Sequence, residues 1–398
     1  MAAYDITVLG TPEEFFATQE NVYSVCKLSD TRFVVAWEVS SGSARIQAFD
    51  LNRSTGEITP LSTPLTISSG TWWNNVSPLI SLSATTCILI WQGASGDGFC
   101  RTYNIDAGTG AVTVRGSEYE FETTEAENNS AVLMSIDATN ARILNVWTRS
   151  NKAYAGILTV TLSTGAVTLT GTAYNIDAQN MIISSVAKIS DSKVLVTSRY
   201  GASLDKGNAV VLNINTSTWA VTSAGSTFEW ISGVSITSNS AAIISTSPLV
   251  AVNNFSDTSD VKTRPLSIND STWAVTNLGS VVSLGGDDTN GLQPTVLRVD
   301  DTHYVVVVTD ITDKLLNAET YEINTSTGTV TLKDSELLGA YYAFQGVVCD
   351  MGEGLYVSVW ARAVTDAGSY AVAFQVEMPV AFTPSPLMHL MGVSGGLF

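Results

Sequence analysis

The chain alternates short hydrophobic runs with short polar turns, and one turn phrase returns at an almost constant interval. Successive copies are 54 or 55 residues apart, a regularity that chance does not produce. Each copy lies between two β-branched or alternating runs, so each predicts a hairpin loop between two strands. The six copies begin at Ser54, Gly108, Ser163, Ser217, Ser271 and Ser326.

The third position of this phrase is glycine in four copies, which suits a turn residue with positive φ. In the other two copies Trp219 and Trp273 take that position. Because a bulky side chain disfavours positive φ, we expect the turn to shift in these two copies.

A second pair of strand-like runs precedes the turn phrase. Val25–Leu28 leads into Thr31–Trp37, and Leu79–Leu82 leads into Thr86–Trp91 one period later. No helical periodicity interrupts these runs, so the repeating unit is four short antiparallel strands. Four strands in about 50 residues is the size of a propeller blade.

The two chain ends supply complementary parts of one further blade. Six turn phrases account for six blades, and residues 343–377 add three strands of a seventh. Asp5–Gly10 resembles the outer strands of other blades, and pairing it there closes the ring and protects two strand edges. The sequence therefore predicts an all-β, seven-bladed β-propeller over residues 1–377. An open solenoid is the alternative, but it does not explain the complementary ends.

Composition and charge narrow the classes of partner. Hydrophobic residues make up 45% of the chain and charged residues 14%, so the chain can bury a core. The formal net charge of −18 repels phosphate backbones and anionic lipid, so we expect neither nucleic acid nor membrane insertion. No apolar run reaches the roughly 18 residues that span a bilayer, and the first residues do not resemble a signal peptide.

Catalytic chemistry has few candidates. The chain has two histidines, His303 before a strand and His389 in the apolar C-terminal segment, and neither has a partner at metal-ligand spacing. No H-E-x-x-H or G-x-S-x-G motif is present. We therefore expect no catalytic residues and no cofactor, and we interpret His303 as a surface turn residue.

Paired aspartates in the sixth blade are the candidates for a metal. Calcium takes several oxygen ligands, which such pairs in glycine-rich turns can supply. The loop lacks the regular D-x-D-x-D-G spacing, so a solvated loop without metal is the favoured interpretation. The four residues concerned are Asp287, Asp288, Asp300 and Asp301.

Aromatic pairs recur in the linkers that enter three neighbouring blades. Trp72-Trp73 and Tyr341-Tyr342 each lie 19 residues before a tryptophan, Trp91 and Trp360, and Phe15-Phe16 falls slightly earlier in the linker entering blade one. A one-sided aromatic patch is typical of a surface that binds glycan or protein. The alternative is that one ring of each pair packs between blades.

The segment after the propeller, residues 378–398, is nearly uncharged and interrupted by proline and glycine. We interpret it as a docking tail for a neighbouring subunit, with packing on its own propeller as the alternative. Its apolar docking residues would be Leu387, Met388, Leu390, Met391, Leu397 and Phe398.

The divergent, Ser/Thr/Asn-rich and tryptophan-containing blades are similar in style to the virion-associated propellers of tailed bacteriophages. The Gly-His and Trp-Asp dipeptides of WD40 repeats and the double glycine of kelch repeats are absent. The resemblance implies a non-catalytic structural or adhesion protein of a virion, found there or outside the cell after release. It would bind other virion proteins and a host-surface glycan. A free-standing lectin, and a glycan hydrolase or lyase, are the alternatives.

Overall fold

A computed structural model describes residues 3–16, 22–39, 43–68, 77–93, 95–176, 181–200, 206–257, 260–285, 295–310, 315–339, 343–362 and 368–379. Within these ranges, 31 strands form seven antiparallel sheets. The same ranges contain no helix that is long and apolar enough to cross a membrane. The sheets are the blades of a seven-bladed β-propeller, which confirms the predicted fold.

Blades 1 to 3 follow one another along the chain from inner to outer strand. Blade 1 consists of β2 (Val22–Ser29), β3 (Arg32–Val39), β4 (Ser43–Leu51) and β5 (Ile58–Ser68). Blade 2 consists of β6 (Leu79–Ser83), β7 (Thr86–Gln92), β8 (Gly98–Ile105) and an outer strand in two pieces, β9 (Val112–Val114) and β10 (Tyr119–Glu122). Blade 3 consists of β11 (Glu127–Ile136), β12 (Asn140–Arg149), β13 (Lys152–Thr161) and β14 (Val167–Asn175).

Blades 4 and 5 also have an outer strand in two pieces. Blade 4 consists of β15 (Met181–Ser190), β16 (Lys193–Tyr200), β17 (Lys206–Ile214), β18 (Val221–Ser223) and β19 (Phe228–Ser232). Blade 5 consists of β20 (Ser238–Thr246), β21 (Leu249–Ser256), β22 (Val261–Ile268), β23 (Val275–Asn277) and β24 (Val282–Gly285). Blade 6 consists of β25 (Thr295–Arg298), β26 (His303–Asp310), β27 (Leu315–Ile323) and β28 (Val330–Gly339). Blade 7 consists of β29 (Ala343–Gly352), β30 (Leu355–Arg362), β31 (Ser369–Val376) and the N-terminal strand β1 (Ile6–Phe16).

The N-terminal strand closes the ring, as the sequence predicts. β1 pairs with β31 in antiparallel register, from Ile6 opposite Val376 to Phe16 opposite Ser369. The strand is longer than the predicted Asp5–Gly10, because pairing resumes at Glu13 after an irregularity that contains Pro12. Phe16 is therefore the last residue of a strand, and the prediction that it lies in a linker was wrong.

The six turn phrases form hairpin turns with one hydrogen-bond pattern. In the first copy, the Asn52 side-chain oxygen accepts hydrogen bonds from the backbone of Ser54 and Thr55 at 3.1 and 3.4 Å. The backbone N–H of Gly56 donates to the Asn52 carbonyl at 2.8 Å, and the N–H of Asn52 donates to the Glu57 carbonyl at 2.8 Å. Gly56 has a φ of 73°, the left-handed conformation that glycine adopts without strain.

The tryptophan copies keep this turn, so the expected shift was wrong. Trp219 and Trp273 both have a φ of 60°, and both donate the turn-closing hydrogen bond, at 2.6 and 2.7 Å. Each ring packs against the preceding blade, where the Arg142 guanidinium lies 4.6 Å from the Trp219 ring centre and the Lys193 ammonium 4.9 Å from that of Trp273. These ring contacts offset the strain of positive φ at a bulky residue.

The two chain ends build the seventh turn without a covalent link. The N–H of Tyr4 donates to the Glu377 carbonyl at 2.6 Å, and the N–H of Glu377 donates to the Asp5 carbonyl at 2.9 Å. Tyr4 has a φ of 70° and stands two residues before the first paired residue of its strand, as Gly56 stands two before Ile58. Tyr4 and Glu377 thus occupy the places of Gly56 and Asn52.

The core is divided among the interfaces between successive blades. Seven hydrophobic clusters each combine side chains of two neighbouring blades. In four blades the second strand carries, near its end, a large buried tryptophan ring that packs against the preceding blade, at Trp37, Trp91, Trp147 and Trp360. Burial of this apolar area is the main favourable term in folding, so the ring depends on every interface.

Candidate functional site

The ring has two faces of different construction. The turn face carries the connections between the first and second strands of each blade and those between the third and fourth strands. The linker face carries the connections between the second and third strands and the linkers to the next blade. β1 runs from Ile6 on the turn face to Phe16 on the linker face, and their partners Val376 and Ser369 are seven strand steps apart, a distance of about 23 Å.

Phe15 and Phe16 lie at the interface between blades 7 and 1, at its linker-face end. The Phe15 ring makes edge contacts with Trp37 at 5.5 Å and with Phe49 at 5.1 Å between ring centres. The Phe16 ring lies 6.1 Å from that of Trp37. Both phenylalanines are half-buried, so this pair does pack between blades while keeping part of its surface exposed.

The other two predicted pairs, Trp72-Trp73 and Tyr341-Tyr342, lie outside the described residues. Along the chain they fall between β5 and β6 and between β28 and β29. Their membership of one aromatic patch with Phe15 and Phe16 stays a prediction.

Arg45 and Trp37 stand directly opposite each other on β4 and β3, beside the Phe16 ring. The Arg45 guanidinium lies 4.6 Å from the centre of that ring. Among the described residues, no carboxylate and no hydrogen-bond acceptor contacts this guanidinium. The indole Nε1 of Trp37 is buried and likewise has no hydrogen-bond partner. In the described part of the chain, two hydrogen-bond donors at this interface therefore have no acceptor.

The interface between blades 2 and 3 has a related aromatic arrangement with a carboxylate in it. Glu122, 7% exposed, accepts hydrogen bonds from the Trp147 Nε1 at 3.3 Å and from Arg149 at 2.9 Å. The same side chain accepts from the backbone of Thr123 at 3.1 Å. The Arg149 guanidinium lies 3.9 Å from the ring centre of Tyr154. The Glu122 carboxylate thus provides the hydrogen-bond acceptor for both the Trp147 indole and the Arg149 guanidinium.

Sequence reasoning missed this cluster of Glu122, Trp147 and Arg149. Phe121 contacts Trp147 edge-on at 5.3 Å, as Phe15 contacts Trp37, so Phe121-Glu122 matches Phe15-Phe16 in the repeat. The distances along the chain to the two tryptophans differ because the linkers differ in length. Alignment of outer strands with one another, rather than by spacing to the tryptophan, would have exposed the match.

His303 is buried and not, as interpreted from the sequence, a surface turn residue. It is 6% exposed, and its ring stacks on that of Tyr4 with 3.4 Å between ring centres. Its Nδ1 lies 3.0 Å from the Asp300 carboxylate, which also accepts a hydrogen bond from the Tyr4 hydroxyl at 2.7 Å. The three side chains hold the start of β1 against blade 6.

Asp300 is the hydrogen-bond acceptor of this anchor. Burial acts to raise its pKa, but the hydrogen bonds from His303, the Thr302 backbone and Tyr4 outweigh burial and lower the pKa to about 2. Asp301, in contrast, is exposed and pairs with Arg298. Asp287 and Asp288 lie outside the described residues. Within the described ranges, no group of three or more His, Cys, Asp or Glu side chains is arranged to hold a metal ion.

The described part of the C-terminal segment ends on the turn face. Glu377 completes the turn with Tyr4, and Met378 packs against the apolar cluster of blades 6 and 7 that contains Ile6. The described chain stops at Pro379. The predicted docking residues Leu387, Met388, Leu390, Met391, Leu397 and Phe398 therefore lie outside the described residues.

The known proteins to which this chain is similar resemble it in fold. No family model matches the sequence, and no curated protein does. A Bacteroides uniformis protein provisionally assigned as a 6-phosphogluconolactonase superposes with a TM-score of 0.57 and 10% identity, over 93% of this chain and 99% of its own. A Dyadobacter fermentans protein of unknown function gives a TM-score of 0.51 and 10% identity, over 94% and 99% of the two chains.

A hypothetical selenium-binding protein from Sulfolobus tokodaii also gives a TM-score of 0.51, with 9% identity over 80% of this chain and 81% of its own. These structures share the fold with this chain. At such identities they carry no information on what it binds.

Proposed function

We propose that this propeller is a non-catalytic binding and scaffolding component of a larger assembly. Its linker face would bind a partner protein or a host-surface glycan through the aromatic pairs, and its tail would attach it to other assembly proteins from the turn face. The resemblance in style to bacteriophage propellers makes a virion, free outside the cell after release, the setting that we favour.

The positions of the two ends of β1 support this proposal. Phe15 and Phe16 stand at the linker-face end of β1, and the described chain ends at Pro379, near Tyr4 at the other end of the same strand. A protein that is anchored through one face and binds through the other needs this separation. The closed ring of seven packed interfaces would keep the two faces at a fixed distance.

The buried carboxylates of Asp300 and Glu122 support a scaffold rather than a hydrolase. Asp300 and Glu122 each hold several hydrogen bonds from neighbouring backbone and side chains. A general acid or base must exchange its proton with a substrate, and carboxylates fixed in this way are poor candidates.

The solution mass of the full chain, compared with that of a variant ending at Pro379, tests the anchoring role. We expect the full chain to self-associate or to bind partner proteins, and the shortened chain to be a monomer of unchanged thermal stability. If both chains were stable monomers and neither bound a partner, the assembly role would be wrong.

Glycan binding by the linker face is tested with immobilised glycans. We expect the double variants Trp72→Ala/Trp73→Ala and Tyr341→Ala/Tyr342→Ala to lose glycan binding. Trp219→Gly on the turn face is the control, because it removes a ring of similar size from the opposite face. Equal binding by all variants would argue against a linker-face site. A monomer that binds glycan would indicate the free-standing lectin instead.

A further inference from the structure

We propose that the interface between blades 7 and 1 binds the carboxylate of a terminal acidic sugar through Arg45 and the Nε1 of Trp37. The rings of Phe15 and Phe16 would contact the apolar side of the sugar. The inference rests on the proposed glycan-binding role of the linker face, and it specifies the residues and the chemical class of the ligand.

The interface between blades 2 and 3 provides the internal template. There the Glu122 carboxylate accepts from an indole N–H at 3.3 Å and from a guanidinium at 2.9 Å, beside the ring of Phe121. A carboxylate that accepts from two such donors is a strong, charge-assisted arrangement. At an equivalent interface of the same protein, a carboxylate is thus the group that accepts hydrogen bonds from both a tryptophan N–H and an arginine guanidinium.

The interface between blades 7 and 1 keeps the donors and replaces the acceptor. Phe16 stands at the position of Glu122, directly after the phenylalanine that contacts the tryptophan. The guanidinium comes from another position of the repeat, since Arg45 pairs across the sheet with Trp37 whereas Arg149 follows Trp147 by two residues. Arg45 and Trp37 nevertheless both lie beside the ring of Phe16, the guanidinium 4.6 Å and the indole ring 6.1 Å from its centre.

Burial of an indole N–H without an acceptor costs free energy, and among the described residues the Arg45 guanidinium has no carboxylate partner. Arg32 and Arg149, in contrast, have carboxylate partners in Asp50 and Glu122. An incoming carboxylate would satisfy both donors. Because the Trp37 Nε1 is buried, the Phe16 ring has to turn aside, and binding should therefore change the fluorescence of Trp37.

The negative net charge of the protein favours a ligand with a single carboxylate over a polyanion. A polyanion would be repelled by the net charge of −18, whereas one carboxylate on an otherwise neutral glycan meets the local guanidinium at little cost. Aromatic rings beside the cation suit the apolar face of a sugar ring. A terminal uronic or sialic acid has both features.

Titration of the full chain with glucuronic acid and with N-acetylneuraminic acid, followed by tryptophan fluorescence and calorimetry, tests the site. Glucose and N-acetylaspartate are the neutral-sugar and the acidic non-sugar probes. We expect the acidic sugars to bind, and Arg45→Gln to weaken that binding about 10- to 100-fold, the usual effect of removing a charged hydrogen-bond partner. Arg149→Gln is the matched control, because its carboxylate is internal, and it should bind as the unmodified chain does.

Phe16→Glu provides a second, independent test. The new carboxylate should pair with Trp37 and Arg45 as Glu122 pairs with Trp147 and Arg149, so it should abolish acidic-sugar binding while keeping or raising the melting temperature. Binding that survives both Phe16→Glu and Arg45→Gln would overturn the site but leave a glycan-binding linker face intact. Equal binding of N-acetylaspartate would overturn the sugar assignment in favour of an acidic peptide. No binding of any probe would overturn the proposal, while neutral glycans could still bind at Trp72 and Trp73.

Discussion

Each of six turns of the propeller is formed by one continuous segment of chain, whereas the seventh turn is formed by the two chain ends. Both kinds of turn have the same pattern of backbone hydrogen bonds. Both also have a residue of positive φ at the equivalent position, Gly56 in a continuous turn and Tyr4 in the split turn. They differ in what stabilises them. The continuous turn has its covalent connection, whereas the split turn has the contacts of Tyr4 with Asp300 and His303 on blade 6. The backbone geometry of this turn therefore does not require a continuous chain.

The largest expected effect comes from removing one half of the split turn. Deletion of residues 1–10 takes away Tyr4, Ile6 and the first part of β1, and exposes the edge of β31. We expect a loss of about 5 kcal/mol or more in the free energy of unfolding, with aggregation, from the lost hydrogen bonds and apolar burial. Thermal unfolding and light scattering measure both. Retention of the full melting temperature in a monomer would contradict closure by β1.

A continuous turn should fail for a local reason. In Gly56→Ala the new Cβ would lie 2.4 Å from the backbone of Leu9 on the neighbouring blade, at a φ of 73°. We expect a loss of about 3 kcal/mol, from strain and displacement of Leu9. Gly171→Ala is the control, since it has a φ of 74° and nothing within 4 Å, and should lose only about 1 kcal/mol. Equal losses in a denaturant titration would show that the contact with Leu9 does not matter.

The split turn should also depend on pH where the continuous turns do not. The folded-state pKa of Asp300 lies at about 2, below its ordinary 3.8, so its ionised form favours the folded state. This contribution, about 2 kcal/mol, is present above pH 4 and is lost as the pH falls from about 4 towards 2. Asp300→Asn should flatten the stability profile in that range. A profile unchanged by the substitution would remove Asp300 from the anchor.

The smallest effect is expected at the tryptophan turns. Trp219→Gly relieves about 1 kcal/mol of strain from positive φ but loses the ring contact with Arg142, worth about as much. We expect a net change within about 1 kcal/mol, and the same for Trp273→Gly with Lys193. Denaturant titration of the two variants measures this. A loss above 3 kcal/mol would mean that the rings are a major part of the interface core.

The fold could be predicted because the repeat makes local and long-range patterns agree. The interval between turn phrases specifies the blade, and the partial blades at both ends specify the closure. The Trp219 turn was predicted wrongly, because local preference against positive φ was outweighed by a contact with Arg142 of another blade. His303 was misplaced for the same reason, since its partner Tyr4 is almost 300 residues away in the chain.

The candidate site was predicted only in part. The aromatic character of Phe15 and Phe16 is visible in the sequence, but the convergence of Arg45 and Trp37 on Phe16 depends on strand register and on packing between blades. Neither follows from the spacing of residues in one chain. The match between Phe121-Glu122 and Phe15-Phe16 is visible when the outer strands are aligned, but the hydrogen bonds of Glu122 with Trp147 and Arg149 follow only from the packing of blade 2 on blade 3.

The position of the chain ends determines how the ring would respond to a mechanical load. Tyr4 and Glu377 meet at one end of the antiparallel pair formed by β1 and β31. The hydrogen bonds of such a pair are perpendicular to the strands, so a force that separates the two ends would load them one after another from Ile6 towards Phe16. Pulling on both termini would therefore unzip the ring at low force, whereas a load applied through the tail and the body of the ring would spare this pair.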